Sequence, residues 1–223
     1  MPSARESRAA LTLVTGAAAA AVERLIGSLT GSPESQRADL LDSVPDVIGY
    51  YVLGSSALAA DFYDDERERA GARGRFTAEP VVPDRAERIA RAIAWASEPL
   101  FEPSDTTTLE RLAPVVQLET ARGYRDTITT NRERDPEAVG WRRIARGDGC
   151  RMCRMLADRG AVYKHNTARF ASHTSCHCTA APVFSGQDGD EANVMQYVAS
   201  QRRKSDADRA RLREYLAENY GDN

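Results

Sequence analysis

The sequence predicts a mainly α protein in three parts: a helical N-terminal region, a small stapled α+β module, and a helical C-terminal tail. Three observations predict it. Apolar residues recur at three-and-four spacing through the first two-thirds of the chain, punctuated by Pro and Gly. That periodicity ends at the polar stretch NRERDPEAVG, residues 131–140. All four cysteines and all three histidines then fall between Gly147 and Phe184. The expected division is 1–135 as a helical docking region, 136–186 as the Cys/His module and 187–223 as the tail.

The first helix is expected from the stripe Leu11, Val14, Ala18, Ala21, Leu25 and Leu29. TGSPES stops it and starts the next, with Ser32 as N-cap and Pro33 at the first helical position. After Pro45 the spacing continues through Ile48, Tyr51, Val52, Ser55, Leu58, Ala59, Phe62 and Tyr63. The run DDERERAGARG is expected to be a solvated helix end and loop. Pro80 and Pro83 precede a third helix carrying Ile89, Ala92, Ile93 and Ala96, closed by Pro99. A fourth is predicted from about Thr107 to Asn131, with Leu109, Leu112, Val116, Leu118 and Tyr124, kinked or divided at Pro114. Beyond the SGQDGD loop, short helices are expected at 191–202 and at 206–220, the latter capped by Ser205.

Within the module, Cys150 and Cys153 form C-x2-C, a spacing that lets two sulfurs on one turn bind one ion. His173, Cys176 and Cys178 follow as H-x2-C-x-C, with 22 residues between the two cysteine pairs. Sulfur with imidazole suits a tetrahedral zinc, and five candidates compete for four places. Cys150, Cys153, His173 and Cys178 are the favoured set, with Cys176 able to replace either of the last two. His165 in a polar loop and His177 on the opposite side of an extended segment are weaker candidates. Ordinary buried thiols are the plainer alternative, and a redox C-x-x-C would need a βαβ unit that the pattern does not contain. No H-E-x-x-H and no deaminase signature is present. A sulfur-rich, fully ligated ion leaves no open position for water, so the zinc is expected to be structural, stapling a segment too small to form its own core.

Composition bounds the rest. With 42% hydrophobic and 28% charged residues and a formal net charge of −3, the chain reads as an ordinary folded protein. The weakly polar run from Leu11 to Val22 is expected to be too short to span a bilayer, and MPSARESRAA is a poor secretory start. The expected compartment is therefore cytoplasmic and reducing, without membrane partners. Basic residues are nearly all arginine, a bias that fits a GC-rich coding sequence. Eight basic side chains lie between Trp141 and Cys178 against Asp148 and Asp158. Arg142, Arg143, Arg146, Arg151 and Arg154 are the candidate phosphate or partner contacts, with Trp141, Tyr163 and Phe170 nearby. Any DNA contact they make would be non-specific and salt-dependent.

These motifs carry a resemblance. Gly140, Trp141 and Arg143, then Cys150 and Cys153, then Leu156, Ala157, Arg159, Gly160 and Tyr163, then His173, Cys176 and Cys178 running into Pro182, Val183 and Phe184 form one pattern. It resembles the minor head proteins of tailed phages that infect actinobacteria, relatives of the F protein of phage Mu. The close match covers about a fifth of the chain and departs at His177, where the pattern has an acidic residue. The resemblance implies an internal virion protein that enters the capsid during assembly in the host cytoplasm, with the portal and other capsid proteins as partners. Some members are labelled capsid maturation proteases, but no Ser/His/Asp set is recognisable here. A maturation protease and a host zinc-binding nucleic-acid module are the alternative readings.

Overall fold

The computed structural model describes residues 2–145, 149–159, 170, 178–185 and 205–221. Its elements are α1 (Ala4–Ser28), α2 (Pro33–Arg69), α3 (Ala86–Ala96), a 3-10 turn (Glu98–Leu100), α4 (Thr108–Arg134), β1 (Ala138–Ile144), α5 (Arg151–Ala157), β2 (Thr179–Phe184) and α6 (Asp206–Asn219). Among the described residues the protein is mainly helical, as expected, with one small antiparallel sheet, and the helix expected at 191–202 lies outside them.

Helix starts follow from local chemistry. At α1 the Ser3 hydroxyl accepts from the Glu6 amide while the Glu6 carboxylate accepts from the Ser3 amide. The same reciprocal box links Thr107 with Glu110 and Ser205 with Asp208. Each satisfies two otherwise orphaned amides. Ser32 caps α2 with Pro33 behind it, as predicted.

Three expectations change. Of the kink or division expected at Pro114, the division does not occur, since α4 runs unbroken to Arg134, and α2 likewise carries Pro45 within 37 residues. A buried proline-flanked helix face can offset a cost of about 3 kcal/mol per interior proline. On α2, Leu40 and Val44 before Pro45 and Ile48 and Val52 after it lie in one core cluster. The run at 64–74 is not simply solvated. Glu66 and Arg67 are buried, and Arg67 donates to Asp135 and to the Gly74 carbonyl. Finally, the first apolar segment is longer than Leu11 to Val22: the whole 25-residue α1 is long and apolar enough, by length and composition alone, to cross a membrane. In the fold its stripe of Leu11, Thr15, Ala18 and Val22 is buried.

Two clusters form the core. Ala18 and Val22 meet Leu40, Val44, Ile48, Ile93, Leu112 and Val116 in one. Leu11 meets Phe62, Tyr63, Tyr124, Ile128, Trp141 and Phe184 in the other. The pairing of early with early and late with late residues means that α2 and α4 run in the same direction and α1 against both. α4 presses on α2 at Gly123, where an added Cβ would lie 2.7 Å from the Ser56 hydroxyl and 2.8 Å from that of Ser55.

The parallel arrangement of α2 and α4 requires a long return. Part of it is an extended strap over residues 76–83, entered through Gly71 and Gly74 at positive φ. Side chains of α2 and α4 pair with part of its backbone. Ala78 donates to Asp64, Glu79 exchanges two bonds with Asn131, Val81 donates to Thr127, and the Val81 carbonyl accepts from Ser56. Glu119, buried on α4, accepts from Arg85 and Arg88 where α3 begins.

Candidate functional site

The site begins where α4 ends. The Asp135 side chain, with no exposure, accepts from Arg67 at 3.0 Å and from the Tyr63 hydroxyl at 3.3 Å. Burial, with the Asp135 charge second, drives the Tyr63 phenol far above its usual range. β1 leaves this point and pairs with β2, Trp141 opposite Pro182 and Arg143 opposite Ala180, after a register shift between Ala138 and Gly140. A proline is tolerated in β2 because a two-stranded sheet has free strand edges. All six β2 residues are buried, and Ala180, Ala181 and Phe184 join the helices' core.

This sheet places the cysteines. Cys150 caps α5, and its Sγ accepts from the Cys153 amide at 3.4 Å, the C-x2-C turn that the spacing predicted. Cys150 is exposed, whereas Cys153 and Cys178 are 3% and 4% exposed and share one cluster with Ala145 and Phe170. Cys178 enters β2, and its carbonyl accepts from Arg125 Nε of α4 at 3.0 Å. The neighbouring floor is a stack: Trp141 lies 5.4 Å from Phe170, with the Arg143 and Arg125 guanidinium carbons 3.9 Å and 4.8 Å from the same ring. Among the described residues, no group of three or more His, Cys, Asp or Glu is gathered to hold a metal. The candidate ligands His173 and Cys176 lie outside the described residues, as do His165 and His177.

The candidate phosphate contacts divide. Arg143 is 3% exposed and packed on Phe170, so it faces inward. Arg154 donates to the Tyr220 and Gly221 carbonyls, fastening α5 to the end of α6. Arg142 and Arg151 are half-buried, and Arg146 lies outside the described residues. Trp141 is a core side chain rather than a stacking platform. Sequence reasoning missed Arg125 and Asp135, the two charges that orient this region. The only trace of Arg125 is its position among Ala121, Tyr124 and Ile128 on the buried face of α4.

A family model described as VG15 protein matches residues 2–204. No curated protein and no solved structure matches.

Proposed function

The chain belongs to the VG15 protein family, a viral and phage family, and from that premise we propose that it is a minor capsid protein of a tailed phage, related to the Mu F group. The observation that carries this reading is a family match running across both the helical body and the Cys/His segment. It is an internal virion component tied to the portal, acting in head assembly or in packaging and delivery of DNA, and no catalytic residue is assigned to it. The resemblance from Gly140 to Phe184 supports the same reading.

A structural zinc belongs to this proposal. Cys150 and Cys153 share one turn, Cys178 packs with Cys153, and His173 or Cys176 would complete a soft donor set. When bound, zinc supplies a crosslink and no reaction. Weak, salt-dependent contact with DNA phosphates would fall to Arg142 and Arg151. Mass spectrometry of purified virions tests the main reading: the protein is expected inside the particle in few copies, and its absence overturns the proposal. Native against denaturing mass tests the metal, with one zinc expected only in the native spectrum.

A further inference from the structure

Along α2, Asp39, Asp42, Asp46, Tyr50, Leu53, Ala57 and Asp61 follow one another at steps of three and four residues, and all are exposed. That spacing puts them on one face of the helix, opposite the buried face of Val44, Ile48, Val52 and Ala59. From Asp39 to Asp61 the face runs about 33 Å, at about 1.5 Å per residue. Its centre is apolar, with Tyr50 73% and Leu53 57% exposed. The Tyr50 ring stands edge-on to that of Tyr51, 5.2 Å between centroids, and Tyr51 packs on the core. An aromatic side chain held in this way costs little to order when a partner arrives.

The charge on this face has one sign. No Lys, Arg or His lies between Arg37 and Arg67, a span that contains the whole stripe. The arginines at the two ends of α2 are engaged elsewhere: Arg37 donates to Ser97 and lies 4.1 Å from the Phe101 ring, Arg67 donates to Asp135, and Arg69 pairs with Glu66. On α3, Arg88 pairs with Glu119 and Arg91 with Glu87. Arg5, Arg8 and Arg24 of α1 form no ion pair with Asp39, Asp42, Asp46 or Asp61 among the described residues. Aspartates one turn apart, as at 42 and 46, repel each other, and beyond the first turn the helix dipole does not offset this. A face turned only to water is better served by alternating charges.

We propose that the outer face of α2 docks a basic amphipathic helix of a partner protein. Its apolar side chains lie over Tyr50, Leu53 and Ala57, and its Lys or Arg side chains reach the aspartates at either end. The same charges disfavour the other occupants. Duplex DNA and an anionic membrane would meet like charge. Two copies paired through this face would set aspartate against aspartate. The proposal goes beyond the capsid reading and stands independently of it.

The probe is a synthetic helix of about 22 residues, the length of the face, with leucines along a central stripe and lysines at both ends. Its binding to the full chain is followed by fluorescence anisotropy at several salt concentrations. It is expected to bind, more weakly as salt rises, while a scrambled peptide of the same composition binds at least tenfold less tightly and a glutamate version does not bind. Tyr50→Ala with Leu53→Ala should lower affinity at least tenfold with the helical circular dichroism unchanged. Asp42→Lys with Asp46→Lys should weaken binding and flatten its salt dependence, while Leu13→Ala, on the exposed side of α1, should leave it unaltered. No binding, equal binding of the scrambled peptide, or indifference to both double variants overturns the proposal. In cells that produce the protein, benzoylphenylalanine in place of Tyr50 should crosslink to a Lys- or Arg-rich amphipathic segment of another protein. Crosslinks to this chain's own sequence, or none, would overturn it.

Discussion

At position 135 a fully buried carboxylate accepts from Arg67 and Tyr63, and its other oxygen accepts from the Glu137 amide. Removing it leaves the Arg67 charge buried without its partner, a loss of about 3–5 kcal/mol. Asp135→Ala is therefore expected to lower the urea midpoint sharply, and Asp135→Asn by less, since the amide still accepts. Asp64 works in the opposite sense. Burial raises its pKa despite the bond from the Ala78 amide. A raised carboxyl pKa means that the folded state holds the proton more readily than the unfolded one. This contribution opposes folding at neutral pH and fades as pH falls through the raised value. Asp64→Asn keeps an acceptor for Ala78 and removes this contribution, so stability should rise at neutral pH and fall more steeply as the pH is lowered, as read by urea titrations at several pH values. The cysteine turn was legible because C-x2-C is a local pattern. Asp135 and Arg125 were not, because nothing local says that a charge at a helix end, or one within a helix beside apolar neighbours, faces inward.

Among the elements, the starts were easier to read than the continuations. Ser32-Pro33, Thr107 with Glu110, and Ser205 with Asp208 announce themselves, since capping needs only neighbours. The passage of α4 through Pro114 depends on Leu112 and Val116 packing against α1, α2 and α3, which no window of sequence contains. The strap was read only as a proline-rich lead to α3, because its order comes from α2 and α4. Asn131 donates to the Glu79 carbonyl and accepts from the Glu79 amide. Asn131→Ala removes both bonds and leaves a cavity, so a loss of about 2–3 kcal/mol is expected. Hydrogen exchange should localise it, with the Glu79 and Val81 amides losing protection before the helical amides do. Equal loss of protection throughout α4 would show instead that the strap and the helix open as one unit.

For the molecule as a whole, the question is how far the cysteine segment depends on metal while the helices do not. The cluster of Ala18, Leu40, Ile48, Ile93 and Leu112 contains no residue of the sheet or of α5. Trp141 and Phe184 instead join the second cluster, with Phe62, Tyr63 and Tyr124. If zinc holds Cys150, Cys153 and their partners, chelation releases α5 and disturbs the Phe170 stack first, and only through it the helical core. The two tryptophans separate these events, because Trp95 is exposed and Trp141 buried against Phe170. In a Trp95→Phe variant, Trp141 is the sole indole reporter. A chelator should then shift its emission to the red while far-ultraviolet circular dichroism falls only slightly, and added zinc should restore it. Cys150→Ser or Cys153→Ser should give the shifted emission without a chelator, and His165→Ala should not. Emission indifferent to chelator and to both cysteine substitutions would mean that packing alone holds the segment. Cys153 and Cys178 would then be ordinary core thiols, and the zinc proposal would fall while the family assignment stood.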